Sequence, residues 1–367
     1  MDARQRMFWR RRIVALGVLA LLVGVVAGAL SSAGDSESSD DAGQSGLPER
    51  SVRVTIAVSG DLLIHGPVSA QALVYGEGES YEFRPMLEQV REIVRPADLG
   101  ICHLEQPLTN GVPQGEPVFR APASLAGAIA WTGWDACSTA SNHALDGGIE
   151  GIDFTLQRLD RVGVRHSGTN SSPTAPRAAM LSARGVKVAL LAYTDLIPGL
   201  TPPEEDWRLN MADPTRILAD AREARRAGAE VVIVSLHWGI EYQHEPSEFQ
   251  DRVARRLTAS RDVTAVIGQH VHVVQPIRRV NGKPVVFGEG NLLSNQTAAC
   301  CPVESQDGMV VLLHVVAGPD GVRVERVRYV PTEVAHPSFE IVRASPESRQ
   351  RTIGYAGREV PWLQPIG

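Results

Sequence analysis

The stretch Ile267-Gly268-Gln269-His270-Val271-His272 constrains this chain more than any other. Thr264 to Ile267 is an apolar run of strand character, a glycine follows where the chain turns, and two histidines one residue apart close it. Side chains alternate across a strand, so His270 and His272 share one face if the extended geometry persists. Imidazole is a good ligand for Zn, Fe, Ni and Mn-class ions. Four other apolar runs end in the same kind of residue. Val52–Val58 leads to Ser59-Gly60-Asp61, with His65 beyond. Asp98–Glu105 ends in His103-Leu104-Glu105, Asp135–Ala140 leads to Ser141-Asn142-His143, and Glu230–Leu236 leads to His237-Trp238-Gly239. Open α/β sheets build sites from groups that separate strands deliver to one edge. Histidines scattered over a surface would not track strand ends.

Taken one at a time, these residues have plainer readings. Asp61 fits a turn or helix cap, and Asp146 fits the cap of a helix over Ile149–Val162. Glu105 fits a buried salt bridge with an arginine, and His65 a loop residue or substrate contact.

Helical periodicity covers residues 82–95, a shorter segment at Leu125–Ile129, then Asp213–Ala227 and Ser247–Thr258; after Phe339 it weakens, and the chain either packs a terminal helix over Pro346–Tyr355 or trails off. Asp213 caps its helix and Pro214 occupies the first turn. Further strands are expected at Val164–His166, Val186–Tyr193 and Pro284–Phe287, with a hairpin Met309–Val316/Val322–Val330 turning at Gly318-Pro319-Asp320-Gly321. Strands alternating with helices predict an α/β architecture, and the late hairpin makes the sheets mixed. Thr109–Pro122 is a long loop suited to a lid or specificity role, and Pro198–Arg208 is a second long loop.

The ends have a different character. Arg4, Arg6, Arg10, Arg11 and Arg12 precede a uniformly apolar or glycine run, Ile13–Leu30. Residues 1–30 therefore read as a signal peptide or N-terminal membrane anchor that faces the bulk outward, so the protein is expected to be exported, either anchored in the cell membrane or secreted into the cell wall. Residues 31–50, rich in Ser, Gly and Asp, are expected to form a disordered linker. The folded domain is expected over 51–338, with a C-terminal extension at 339–367. At 367 residues and 43% hydrophobic the chain can bury a sizeable core. Its net charge of −6 gives no case for nucleic acid. None of the four cysteines has zinc-finger spacing. Cys102 and Cys137 read as small buried residues in strands, and adjacent Cys300 and Cys301 could pair with each other or outward.

Six blocks carry a family resemblance: Ser59–His65, His103–Pro107, Ser141–Asp146, Ser235–Tyr242, Gly268–Pro276 and Phe287–Asn291. In order, spacing and strand context they resemble the CapA (poly-γ-glutamate and polyglutamine synthesis accessory) family of the calcineurin-like metallophosphoesterase superfamily, over roughly Val54 to Leu293. The resemblance implies a four-layer α/β/β/α sandwich and two divalent ions, Mn, Fe or Zn. It places Asp61 and His272 on the first ion, Glu105 as the bridging acid, Asn142, His237 and His270 on the second ion, and His143 as the catalytic histidine. The superfamily carries a histidine two residues after its first Asp; here that residue is Leu63, and His65 is the candidate replacement. The function implied is an exported accessory protein for the synthesis, transport or localisation of a cell-envelope polyglutamate or polyglutamine polymer, through metal-dependent phosphoester or ester hydrolysis. The alternative is a non-catalytic polymer-binding or scaffold protein. The implied partners are an anionic polymer or a phosphorylated envelope intermediate, and a membrane-bound polymer synthesis complex.

Overall fold

The computed structural model describes residues 51–195, 207–359 and 361–366. The expected leader at 1–30, the linker at 31–50 and most of the Pro198–Arg208 loop lie outside the described residues. Among those described, no helix is long and apolar enough to cross a membrane.

The strands in chain order are β1 (Val52–Leu62), β2 (Leu99–Leu104), β3 (Leu108–Thr109), β4 (Ala121–Pro122), β5 (Ala136–Ser138), β6 (Arg165–Ser167), β7 (Ala179–Ala183), β8 (Val186–Thr194) and β9 (Val231–His237). They continue with β10 (Ala265–Gln269), β11 (Ile277–Val280), β12 (Lys283–Val286), β13 (Asn291–Leu293), β14 (Asp307–Gly318), β15 (Gly321–Ala335), β16 (Glu340–Arg343) and β17 (Leu363–Pro365).

Two mixed sheets and a small parallel pair, β3–β4, result. The first has nine strands in the order β16-β15-β14-β1-β2-β5-β6, with β13 beside β1 and β17 beside β15. Its β1, β2, β5 and β6 run parallel, and the hairpin β14–β15 supplies the antiparallel part. The second has six strands in the order β11-β12-β10-β9-β8-β7, parallel from β8 through β12 and antiparallel at both edges.

Period-two alternation along β1 sorts its side chains. Val54, Ile56 and Val58 enter the core between the sheets, where they meet Val188, Leu190, Ile233 and Ile267 of the second sheet. Ala57 faces the other way, toward the helices Arg84–Val94 and Leu125–Thr132. The first of these buries Met86, Leu87, Val90, Ile93 and Val94, the i, i+1, i+4, i+7, i+8 stripe of an amphipathic helix, behind a proline in its first turn. On the far side, helices Pro214–Arg226 and Glu248–Ala259 place Ile217, Ala221, Val253 and Leu257 over Leu191, Val232, Val234 and Val266. Each such fully buried aliphatic chain contributes about 1.5–3 kcal/mol relative to exposure. The result is the expected four-layer α/β/β/α sandwich with mixed sheets.

Asp213 accepts the amide of Thr215 as a helix cap, and Ser247 with Gln250 forms a reciprocal capping box. Helix Gly66–Tyr75 and strands β7 and β11 have no clear periodicity and were not expected. Residues 339–367, read from sequence as an extension, join the first sheet: β16 and β17 both pair with β15. Cys102 and Cys137 are buried as expected, but they also pair as a disulfide across the facing positions of β2 and β5. Cys300 and Cys301 pair with each other.

Candidate metal centre

The carboxyl ends of the central strands of both sheets meet. Parallel register sets Asp61 opposite His103 in the first sheet and Gln269 opposite His237 in the second. Two glycines allow the close approach. A Cβ on Gly60 would overlap the carbonyl oxygen of Gly290, and one on Gly268 would overlap that of Phe287. Gly268 therefore serves strand packing rather than the turn expected from the sequence.

The two histidines after β10 do not share a face by strand alternation. The strand ends at Gln269, and His270 and His272 have φ of 91° and 56°, in the left-handed region. Such residues are costly, about 1–3 kcal/mol each, and cluster where a site over-determines them. The turn is held by the amide of His270, which lies 3.3 Å from Asp61 Oδ2, and by the Tyr242 amide donating to Val271 O at 2.8 Å.

Around Asp61 the donors crowd together. His272 Nδ1 is 3.2 Å from Asp61 Oδ2 and 3.0 Å from Asn291 Oδ1. His103 Nε2 is 3.7 Å from Asp61 Oδ1 and 3.0 Å from His237 Nδ1. The other nitrogen of His237 lies 2.8 Å from Asn142 Oδ1 and 3.8 Å from Glu105 Oε1, and Glu105 Oε1 is 3.8 Å from His272 Nε2. Among the described residues three triads have ligand atoms all within 4.8 Å of one another: Asp61, His103 and His237; Asp61, Glu105 and His272; Glu241, His270 and His272.

Burial and mutual charge set the electrostatics. Burial opposes ionisation of Asp61, but the hydrogen bond and charge of His272, with His103 and His270, outweigh it and hold the carboxyl below its ordinary range. Burial and then the Asp61 charge push Glu105 well above its usual value. Burial pushes His103 down to about 4 and His270 down to about 3, the latter helped by His272. His237 is driven well below the ordinary imidazole value by burial and then by His270. Burial also opposes the charged form of His272, yet Glu105 and Asp61 take it up to about 9. Behind the cluster, burial raises Glu289 to about 8, although Gln269 Nε2 donates to its Oε2 at 2.9 Å.

The residues fit a pair of divalent ions. Both carboxylate oxygens of Glu105 and Nδ1 of His270 are buried without a hydrogen-bond partner. Such atoms are costly unless something satisfies them. Imidazoles with carboxylates and one amide oxygen make a donor set suited to divalent ions of the Mn, Fe or Zn class.

His143 and His65 stand at the rim. His143 Nδ1 is 2.8 Å from Asp146 Oδ2, and that oxygen also accepts the Phe119 amide at 2.7 Å. Asp146 therefore does not cap the following helix, whose N-cap is Gly147 with no side-chain bond. The Phe119 ring meets His143 edge-on at 4.6 Å and His65 at 5.1 Å. His65 belongs to none of the triads. Its Nδ1 lies 3.0 Å from Leu63 O and 3.2 Å from the Asn295 amide, and burial lowers its pKa to about 4.

The structure thus brings Asp61, Glu105, Asn142, His237, His270 and His272 into one cluster and sets His143 and His65 beside it. Sequence reasoning did not single out His103 or Asn291 as site residues. Both sit in quoted blocks, His103 two residues before Glu105 and Asn291 just past Glu289, and that spacing was the available signal.

The model of the bacterial capsule synthesis protein family PGA_cap matches residues 55–296. The PGA biosynthesis protein CapA of Bacillus subtilis (strain 168) is 31% identical over 166 residues, covering 43% of this chain and 42% of that protein. The capsule biosynthesis protein CapA of Bacillus anthracis is 25% identical over 175 residues, covering 46% of this chain and 42% of that protein. Both alignments span less than half of the relative's length. Among solved structures, the calcineurin-like phosphoesterase YfkN from Bacillus subtilis superposes with a TM-score of 0.52 at 15% identity, covering 83% of this chain and 96% of that one. The chain, with its two sheets meeting at an Asp–Glu–Asn–His cluster, belongs to the PGA_cap family of bacterial capsule synthesis proteins and has the calcineurin-like phosphoesterase fold.

Proposed function

We propose that this protein is an exported accessory factor for the synthesis, transport or localisation of a cell-envelope polyglutamate or polyglutamine polymer, acting as a metal-dependent hydrolase on a phosphorylated or esterified envelope intermediate. The observation that carries the reading is the Glu105 carboxylate. It is fully buried, neither oxygen is hydrogen-bonded, and Oε1 is equidistant, at 3.8 Å, from nitrogens of His237 and His272. Family membership and the names of the relatives support the polymer.

In this reading Asp61 and His272 would hold one divalent ion and Asn142, His237 and His270 another, with Glu105 as a shared acid. Such ions would supply Lewis-acid polarisation of a phosphoryl or carbonyl oxygen and activation of a water. The chain's own part is proton handling and orientation. Asp146 accepts a hydrogen bond from Nδ1–H of His143 and orients the ring, so that the doubly protonated imidazolium would donate its Nε2 proton to the departing oxygen. The Phe119 ring packs edge-on against both His143 and His65, and in this reading His65 would contact substrate or complete the first ion's shell. Residues 1–30 would carry the protein outward, anchored beside a membrane-bound polymer synthesis complex or released.

The test is metal analysis of the purified full-length chain with assays on phosphomonoesters and phosphodiesters. Two bound ions and turnover that falls in His143→Ala are expected. Absence of both bound metal and turnover would sink the hydrolase.

A polymer-binding role without catalysis has one supporting observation. A cleft of about 700 Å³, lined by Arg84 with its ion-pair partner Glu82, Trp131, Arg158 and Arg161, includes Thr109–Gly111, shortly after Glu105 in the chain. In that case polyglutamate binding would weaken with salt and in Arg158→Glu, with no dependence on His143.

A further inference from the structure

We propose that His103 is a direct ligand of the ion held by Asp61, supplying the imidazole that this chain lacks at position 63. The proposal rests on the reading of the cluster as a metal centre. Leu63 is buried and offers no donor atom, and its amide is committed to Leu293 O at 2.9 Å. The neighbouring strand makes up the deficit. Parallel pairing of β1 with β2 puts His103 directly beside Asp61, and pairing of β2 with β5 puts Ser138 on the other side of His103.

Ser138 Oγ meets His103 Nδ1 at 2.5 Å. That contact fixes the ring and turns Nε2 inward, as an outer hydrogen bond on one ring nitrogen does for histidines that ligate metals through the other. The inward nitrogen stands 3.7 Å from Asp61 Oδ1 and 3.0 Å from His237 Nδ1. Two ligand atoms each about 2.0–2.1 Å from one ion lie about 3–4 Å apart, so the separation from Asp61 Oδ1 suits a shared ion. His103 is 1% exposed, so its Nε2 faces the buried cluster rather than water.

The rival role is an outer partner, with His103 accepting a proton from His237 and touching no ion. Loss of an outer partner typically costs about 10–100-fold in metal affinity. Loss of a ligand should exceed that.

The experiment uses the full-length chain, stripped of metal and titrated with Co2+, with bound ion counted by mass spectrometry after gel filtration and folding checked by circular dichroism. The variants are His103→Ala, His103→Phe, which fills the space without a donor, and the double variant Leu63→His/His103→Ala. The wild type should hold two ions. His103→Ala and His103→Phe should hold one, the second equivalent weakened more than about 100-fold, and the double variant should recover it. Two ions retained in both single variants, or no recovery in the double variant, would overturn the assignment of His103 alone. A wild-type chain that holds no more metal than His270→Ala would instead overturn the metal-centre reading.

Discussion

Asp146 holds His143: its Oδ2 lies 2.8 Å from the ring's Nδ1 while accepting the Phe119 amide at 2.7 Å. One carboxylate oxygen thereby fixes both the tautomer of a rim histidine and the loop that packs on it. Its own backbone carbonyl is held as well, by Arg120 Nε at 3.1 Å. The first expectation follows. His143→Ala should lower kcat by about 10²–10⁴-fold, the usual weight of a positioned acid, with metal content unchanged. Asp146→Asn should give a smaller loss of kcat, because the ring remains but its tautomer is no longer enforced. Kinetics paired with metal analysis checks both, and co-loss of metal in His143→Ala would contradict the division of labour.

His270→Ala should remove a donor whose Nδ1 has no other partner, and Glu105→Ala should remove the buried carboxylate between His237 and His272. Both variants should bind less metal than wild type, with Glu105→Ala affecting both equivalents. Equal metal content in all three proteins would remove these residues from the ligand set.

Chelation should destabilise the fold. An ion at 100 times its Kd adds about 2.7 kcal/mol to folding, so extraction of the ions should lower Tm by several degrees, and added Mn2+ or Zn2+ should restore it. Differential scanning calorimetry with and without chelator is the measurement. An unchanged Tm would mean that nothing in the folded state is bound there.

Gly60→Ala probes the floor of the site. The added Cβ would strike the Gly290 carbonyl, directly under Asp61, whose amide donates to that same oxygen at 3.2 Å. Overpacking of this kind costs about 1–3 kcal/mol. Denaturant unfolding should register that loss, and metal affinity should fall with it because Asp61 must shift.

Acid sensitivity has a source remote from the site. His314 on β14 is half-buried, bonded through Nδ1 to Thr55 Oγ1 at 3.2 Å, with Nε2 buried and unpartnered. Burial lowers its pKa, followed by Arg328 and Arg326, against a smaller opposing effect of Glu325. The folded value lies below the unfolded one, so its contribution to stability is fully present above about pH 6.5 and is lost as pH falls through the folded value. His314→Gln should lose less Tm than wild type between pH 7 and 5. An identical decline in the two proteins would assign the acid sensitivity elsewhere.

The strands that frame the site were legible because burial imposes a strong local pattern on them. The alternation Val54, Ile56, Val58 marks a face, and the polar residue that breaks it marks the edge of the sheet. The order of strands across a sheet is a tertiary property, and that is why His103 went unassigned: only the pairing of β1 with β2 puts it beside Asp61. The turn after β10 was hidden for another reason. Histidine accepts positive φ more readily than bulky residues do, so the turn runs through His270 and His272 with no glycine at either position to announce it. Asp146 offered two local bonds, a helix cap or its histidine neighbour, and sequence does not arbitrate between them. Helix Gly66–Tyr75 was missed because its buried residues, Val68, Ser69 and Ala72, make no apolar stripe.

The donors come from opposite sheets and from positions as far apart as Asp61 and His272. Neither half of the domain holds a complete set alone. An ion seated between them would act as a fastener across the sandwich, captured only once the chain has been made to beyond residue 272 and both halves have closed. Slow leakage of metal from the finished protein would then time the parting of its two sheets.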